Sequence, residues 1–321
     1  MQPPLTDAQT HVQIEIDRLY AALDRLRRGR VTQATQTGYA HDWRNFSRFC
    51  ERMGREPFPA GTETLSLYIT DLLQRGRKLT TVCRYAAGVA YYHVTHGAET
   101  PLTPAVHGIL SGARQILSEQ PSQVRPISVA QLRAIAAALG NSTVAVRNLS
   151  ILTLGFASAL RRSNLSWLET GDIEFCGSQG FRIHVRREKN DRNRQGRFIG
   201  VPPGHDEATC PVRCLEAWLR VRGREYGPLY TRLDSARNGL LQPLSANAFS
   251  EVVKEAAHMV DPGGRYSSHS LRSGLITEAG IRQVSHLVIQ RQSGHKSLDS
   301  LARYFRPVDV FAANAAGMVG L

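Results

Sequence analysis

The sequence predicts a mainly α-helical protein with one small antiparallel β-sheet, divided into two domains, and three observations carry that expectation. At 321 residues the chain exceeds the usual size of a single core. Apolar residues recur at helical spacing through most of its length, and only the stretch from 171 to 202 carries short strand-like runs. The polar, proline-bearing segment SEQPSQVRPIS over 118–128 separates two apolar-periodic regions, as a linker does.

Residues 7–30 set Val12, Ile16, Leu19, Leu23 and Leu26 on one helical face and end in the basic run Arg25–Arg30. Helical patterns follow over 35–53, 61–74, 79–95 and 103–117, the last of them after Pro101. Together they read as a helical bundle filling residues 1–120, with the linker proper at 121–127. Beyond it, helices are expected over 129–139 and 142–158. Strands are expected over 171–175, 181–187 and 196–202, with the polar turn Asn190–Gln195 between the last two. From Cys210 onward the pattern is helical again, broken at Gly227-Pro228, Pro243 and Pro262-Gly263-Gly264.

A hydrophobic share of 42% with 21% charged residues is that of a soluble globular protein. The net charge of +13 points to a polyanion, because clustered cations displace the counterions condensed on nucleic acid. Most of that excess, +10 of it, lies after residue 120. Lysine occurs only at Lys78, Lys189, Lys254 and Lys296, which makes each position informative against the many arginines. The five cysteines are scattered, unlike a disulfide framework, and the start MQPPLTDAQT lacks a basic and apolar leader. No apolar run approaches membrane length, so a reducing cytoplasm is the expected location. Cys210 and Cys214 lack a second ligand pair at zinc spacing, and no GxxxxGK[ST] loop exists, so neither a metal nor a nucleotide cofactor is expected.

Several residues could carry chemistry. The apolar run ILTLGFASAL (151–160) ends in Arg161, whose charge at the edge of a buried helix needs an anion: a carboxylate such as Asp172 or Glu174, or a ligand. YSSHSLRSG (266–274) puts His269 and Arg272 on one helical face, a pairing that suits a phosphate as well as a helix start. In QSGHKSLDSLARYFRP (292–307), His295 follows a glycine and Tyr304 comes nine residues later, sharing a helical pattern with Leu298, Leu301 and Phe305. Taken alone, Tyr304 reads as a core tyrosine and His295 as a capping or buried polar residue. Lys189 enters the turn after FRIHVRREK among Arg186, Arg187, Arg192, Arg194 and Arg197; it reads as a solvated hairpin charge or as part of a hairpin approaching a nucleic-acid backbone.

The order Arg161, Lys189, His269, Arg272, His295, Tyr304 resembles the tyrosine recombinase (phage integrase) family, and the helical N-terminal region is similar to that of Cre-like site-specific recombinases. ALRRSNL (159–165) matches the family's first arginine box; HSLR with GHKS to ARYFRP matches its second, and TCPVRCLEAWL (209–219) is similar to a stretch common in bacterial members. The resemblance implies a two-domain C-shaped clamp on DNA. Residues 1–120 would form a helical core-binding (SAM-like) domain, and 128–321 a catalytic domain with a C-terminal exchange helix. Arg161 and Arg272 would clamp the scissile phosphate, Lys189 would protonate the departing 5′ oxygen and His269 would manage the proton of the nucleophile. His295 would hydrogen-bond the phosphate, and Tyr304 would form a 3′-phosphotyrosyl link. The partners implied are double-stranded DNA with an inverted-repeat recombination site and three further copies of the chain, a tetramer on two duplexes; no metal or cofactor is implied. A type IB topoisomerase-like nicking-closing enzyme and a catalytically weak DNA-binding relative remain alternatives. One position departs from the family: three residues after the first arginine, where a carboxylate is usual, stands Asn164.

Overall fold

The computed structural model describes residues 12–22, 31–117, 124–186, 188, 196–233, 239–295, 297–302 and 304. The basic run Arg25–Arg30, Lys189, the turn Asn190–Gln195 and the expected C-terminal exchange helix lie outside the described residues. The chain divides into two compact units, residues 1–121 and 122–321.

In the first unit, residues 12–22 are helical (α1), and Val12, Ile14, Leu19 and Tyr20 on it are exposed. Four helices follow: α2 (Gln33–Met53), α3 (Thr62–Gln74), α4 (Leu79–Thr95) and α5 (Pro104–Leu117). Thr32 starts α2 by accepting from the Thr35 amide, and Gly54 stops it in the left-handed conformation that glycine adopts without strain. Phe46, Phe49, Leu65, Tyr68, Ile69, Val82, Val89 and Val106 form the core between these helices. α2 and α4 approach closely at Gly88, where a Cβ would stand 2.8 Å from the Asp42 Cβ. Above that crossing Trp43 stacks on Tyr92 at 3.6 Å between ring centroids, which adds to the area the two rings bury.

The second unit opens with α6 (Val129–Leu139), capped reciprocally by Ser128 and Gln131, and α7 (Thr143–Ser158). Next come α8 (Arg162–Trp167) and strands β1 (Ile173–Phe175), β2 (Phe181–Val185) and β3 (Arg197–Val201), an antiparallel sheet in the order β1-β2-β3. α9 (Pro211–Arg222), α10 (Ala246–His258), α11 (His269–Ile281), α12 (His286–Ser293) and α13 (Leu298–Ala302) complete it. Alternate residues of β2, namely Phe181, Ile183 and Val185, point inward against α7 and α9 partners such as Ile151, Leu154 and Trp218. The other side of α7 packs Leu152 and Phe156 against Ile127, Ile135, Val253 and Leu271. α7 is therefore buried on both sides, which is why its sequence is apolar nearly all round.

The region after Cys210 is not wholly helical. A two-stranded antiparallel hairpin, β4 (Thr231–Leu233) with β5 (Gly239–Pro243), lies between α9 and α10. Its strands are too short to show an alternating pattern, and its pairing, not local propensity, creates it. Asp172 also belongs to a 3-10 turn rather than to β1, which starts at Ile173.

Candidate active site

The site is assembled from chain turns that each have a local cause. α7 ends at Ala159, a left-handed alanine (φ 50°), and the reversal brings Arg161 to the N-cap of α8. A non-glycine residue pays about 1 kcal/mol for that conformation, and here its freed carbonyl has a use. It accepts from the Arg272 guanidinium at 2.6 Å.

Arg272 lies in the first turn of α11, one turn after His269, and is 2% exposed. Its Nη1 donates to the carbonyls of Ala159 and Ser293, both at 2.6 Å, and its Nη2 lies 3.0 Å from the His295 Nε2. Burial, then the charge of Arg161, pushes its pKa down to about 10, so it stays cationic at neutral pH. His295 follows Gly294, whose left-handed backbone ends α12. The Ser293 hydroxyl donates to the Ile289 carbonyl at 2.7 Å and so accepts from the His295 Nδ1 at 2.7 Å. That leaves Nε2 as the acceptor for Arg272, the neutral tautomer. Burial, then Arg272, Arg161 and His269, pushes the His295 pKa down to about 4, consistent with neutrality.

Tyr304 follows α13 and packs against Ile276, Ile289 and Leu301. Its hydroxyl lies 2.9 Å from the His269 Nε2. The His269 ring is accessible, yet partial burial, then the charges of Arg272 and Arg161, lowers its pKa below the ordinary histidine value. A neutral imidazole facing a phenol can take its proton. Beside it an open cleft of about 380 Å³ is lined by Arg161, Arg162, Ser163, Ser250, Ser267 and His269, a wall of cations and hydroxyls.

The structure thus brings together Arg161, His269, Arg272, His295 and Tyr304; the sixth sequence candidate, Lys189, lies outside the described residues. Arg161 meets neither Asp172 nor Glu174, which pair with Arg186 and Arg182 respectively. Its carboxylate partner is Glu188, at 3.5 Å, which also lies 3.3 Å from Arg197. Sequence reasoning passed over both Glu188 and Ser293; the only signal for them was their place beside Lys189 and His295. Asn164 is buried in the first turn of α8. Among the described residues no cluster of three or more His, Cys, Asp or Glu side chains could hold a metal ion.

Residues 126–309 match the family model described as the phage integrase family. An integrase/recombinase xerD homolog of Selenomonas ruminantium is 30% identical over 290 residues, covering 88% of this chain and 84% of that protein. Among solved structures, the Tn1549 transposon integrase in complex with transposon right end DNA is similar with a TM-score of 0.61 at 16% identity, over 94% of this chain and 98% of that one. The XerH site-specific recombinase bound to palindromic difH substrate is similar with a TM-score of 0.57 at 16% identity, over 81% and 73%. The two structural likenesses speak for a shared fold, and the two sequence matches for common descent. The chain belongs to the phage integrase family, the tyrosine site-specific recombinases.

Proposed function

We propose that this protein is a site-specific DNA recombinase that cleaves and rejoins strands through a 3′-phosphotyrosyl link on Tyr304. The observation that carries this reading is the 2.9 Å contact between the Tyr304 hydroxyl and the His269 Nε2, beside the buried Arg272. His269 takes the phenolic proton as the phenolate oxygen attacks phosphorus. Arg161 and Arg272 hold the nonbridging oxygens, whose charge grows in the pentacoordinate transition state. The 5′ oxygen leaves with a proton from Lys189. Religation runs the same steps backward, the phosphotyrosyl link having kept the bond energy. His295 hydrogen-bonds the phosphate; since its Nε2 accepts from Arg272 in the free protein, donation requires protonation or the other tautomer, and an arriving phosphate anion favours the first.

The substrate is double-stranded DNA, in keeping with the net charge of +13 and with the DNA held by the Tn1549 and XerH relatives. Residues 1–120 serve as the core-binding domain and 128–321 as the catalytic domain, acting on an inverted-repeat site as a tetramer on two duplexes. The expected C-terminal exchange helix would link neighbouring subunits. Tyr304→Phe tests the central claim. On a suicide duplex nicked near the cleavage point, the wild type should be trapped as a protein-DNA adduct on a denaturing gel, and the variant should bind equally well with no adduct. An adduct in the variant would remove Tyr304 as nucleophile.

A further inference from the structure

Glu188 stands outside the roles assigned so far. Its side chain is 13% exposed, and its carboxylate lies 3.5 Å from the Arg161 Nη1 and 3.3 Å from both the Nε and the Nη2 of Arg197. We propose that Glu188 is a positioning residue for strand cleavage: it holds the Arg161 guanidinium in the orientation that grips the scissile phosphate. The proposal rests on the reading of Arg161 as a phosphate clamp.

The two arginines of the site are held by different means. Arg272 is fixed by two backbone carbonyls and an imidazole. Among the described residues Arg161 has no such carbonyls, and its side-chain partner is Glu188. A long side chain without a tether samples many rotamers, and a clamp stabilises the transition state only close to its productive geometry. The Glu188 contact engages a single Arg161 nitrogen and leaves the rest of the five-donor fork for phosphate oxygens. Its separation of 3.5 Å is longer than a charge-assisted hydrogen bond of about 2.8 Å, so it steers the guanidinium without saturating it.

Glu188 is itself anchored. The Arg197 Nη1 donates to the carbonyls of Arg291 and Gln292, at 3.1 and 3.0 Å, in the last turn of α12. Its guanidinium lies against Gly294, where a Cβ would come within 2.9 Å. One continuous set of contacts therefore runs from Arg161 through Glu188 and Arg197 to the turn that presents His295. Electrostatics acts in the same direction. Arg161 and Arg197 stand close enough to Arg272 that, after burial, their charges lower its pKa, and among the described residues Glu188 is the carboxylate paired with this group. Asn164, in the first turn of α8, contributes no charge.

The test uses the full-length protein and single-turnover adduct formation on the nicked suicide duplex, with either an ordinary scissile phosphodiester or a methylphosphonate. The methyl group removes the nonbridging negative charge that a clamp neutralises. Glu188→Gln should form adduct about tenfold more slowly on the phosphodiester, with half-site affinity unchanged, and Glu188→Asp should recover part of the rate. On the methylphosphonate, Glu188→Gln and Arg161→Ala should both match the wild type. If Arg161→Ala matches the wild type there while Glu188→Gln stays slow on both substrates, the positioning role is overturned and the clamp reading stands. If Arg161→Ala is equally defective on both substrates, the clamp reading falls and the proposal with it. Faster cleavage by Glu188→Gln on the phosphodiester would also overturn the proposal, because the carboxylate would then be occupying the place of the phosphate.

Discussion

The two units bury polar groups in opposite ways, and the contrast separates structural polarity from a site. In the first unit His93 is fully buried; its Nε2 accepts from the Ala60 amide at 2.8 Å and its Nδ1 donates to the Val89 carbonyl at 2.9 Å. Asp42, also fully buried, receives the Arg84 Nη1 at 2.6 and 2.7 Å. Each group meets a partner of complementary kind, and nothing is left for a ligand. In the second unit the buried Arg272 faces another arginine and two histidines whose pKa values are pushed down. Among the described residues Arg161, Arg197 and Arg272 share the one carboxylate of Glu188, an excess of positive charge that raises the free energy of the empty site and that a phosphodiester relieves. Burial of a polar group is thus no mark of function; a surplus of one charge is.

The sharpest way to break the comparison is Arg272→Lys. A lysine cannot reproduce the fork that meets two carbonyls, an imidazole and a phosphate. Adduct formation should fall about 10³-fold, in the range of losing a principal oxyanion donor. The unpaired Ala159 and Ser293 carbonyls should also lower stability, by about 1–3 kcal/mol each. Urea unfolding and single-turnover cleavage measure the two effects, and a variant that keeps its cleavage rate would show the arginine to be structural, like Asp42 and His93.

The next effect is in pH dependence. Because the pKa of His269 is lowered, its neutral form persists below the ordinary histidine value of about 6.5. The adduct rate should therefore stay level from pH 8 to 6.5 and decline only at lower pH, as the base takes up a proton. His269→Gln should be about 10²-fold slower, and the acid limb due to this group should vanish. An unchanged acid limb in that variant would assign the titration elsewhere.

The smallest effect belongs to the first unit. In Gly88→Ala the added methyl meets the Asp42 Cβ and drives α4 from α2, which should destabilise that unit by about 2 kcal/mol. With DNA saturating and the temperature low, the cleavage rate should stay within about twofold of wild type, since this crossing serves packing alone. A large loss of cleavage at full folding would show the two units to be energetically coupled.

Local sequence determined the helices. Periodicity placed α2, α4, α6 and α7 within a few residues of their observed bounds, because an amphipathic or buried helix writes its pattern into neighbouring residues. The spacing His269 to Arg272 also defined a shared face, since i and i+3 meet on any helix. What the sequence alone left open was every relation that depends on chain reversal or distant pairing. The hairpin β4–β5 exists through its ladder and through the bond from the Leu244 amide to the Tyr230 carbonyl. The sequence offers Arg161 the carboxylates of Asp172 or Glu174, eleven and thirteen residues away, but it reaches Glu188 because the antiparallel β1–β2 pairing carries the end of β2 back toward α8. Arg272 finds the Ala159 carbonyl 113 residues away, through a left-handed alanine that no propensity predicts. The residue types that bind a phosphate are thus legible in the chain. The partners that orient them belong to tertiary structure, because a side chain's reach is set by how remote segments are folded together and not by its neighbours in sequence.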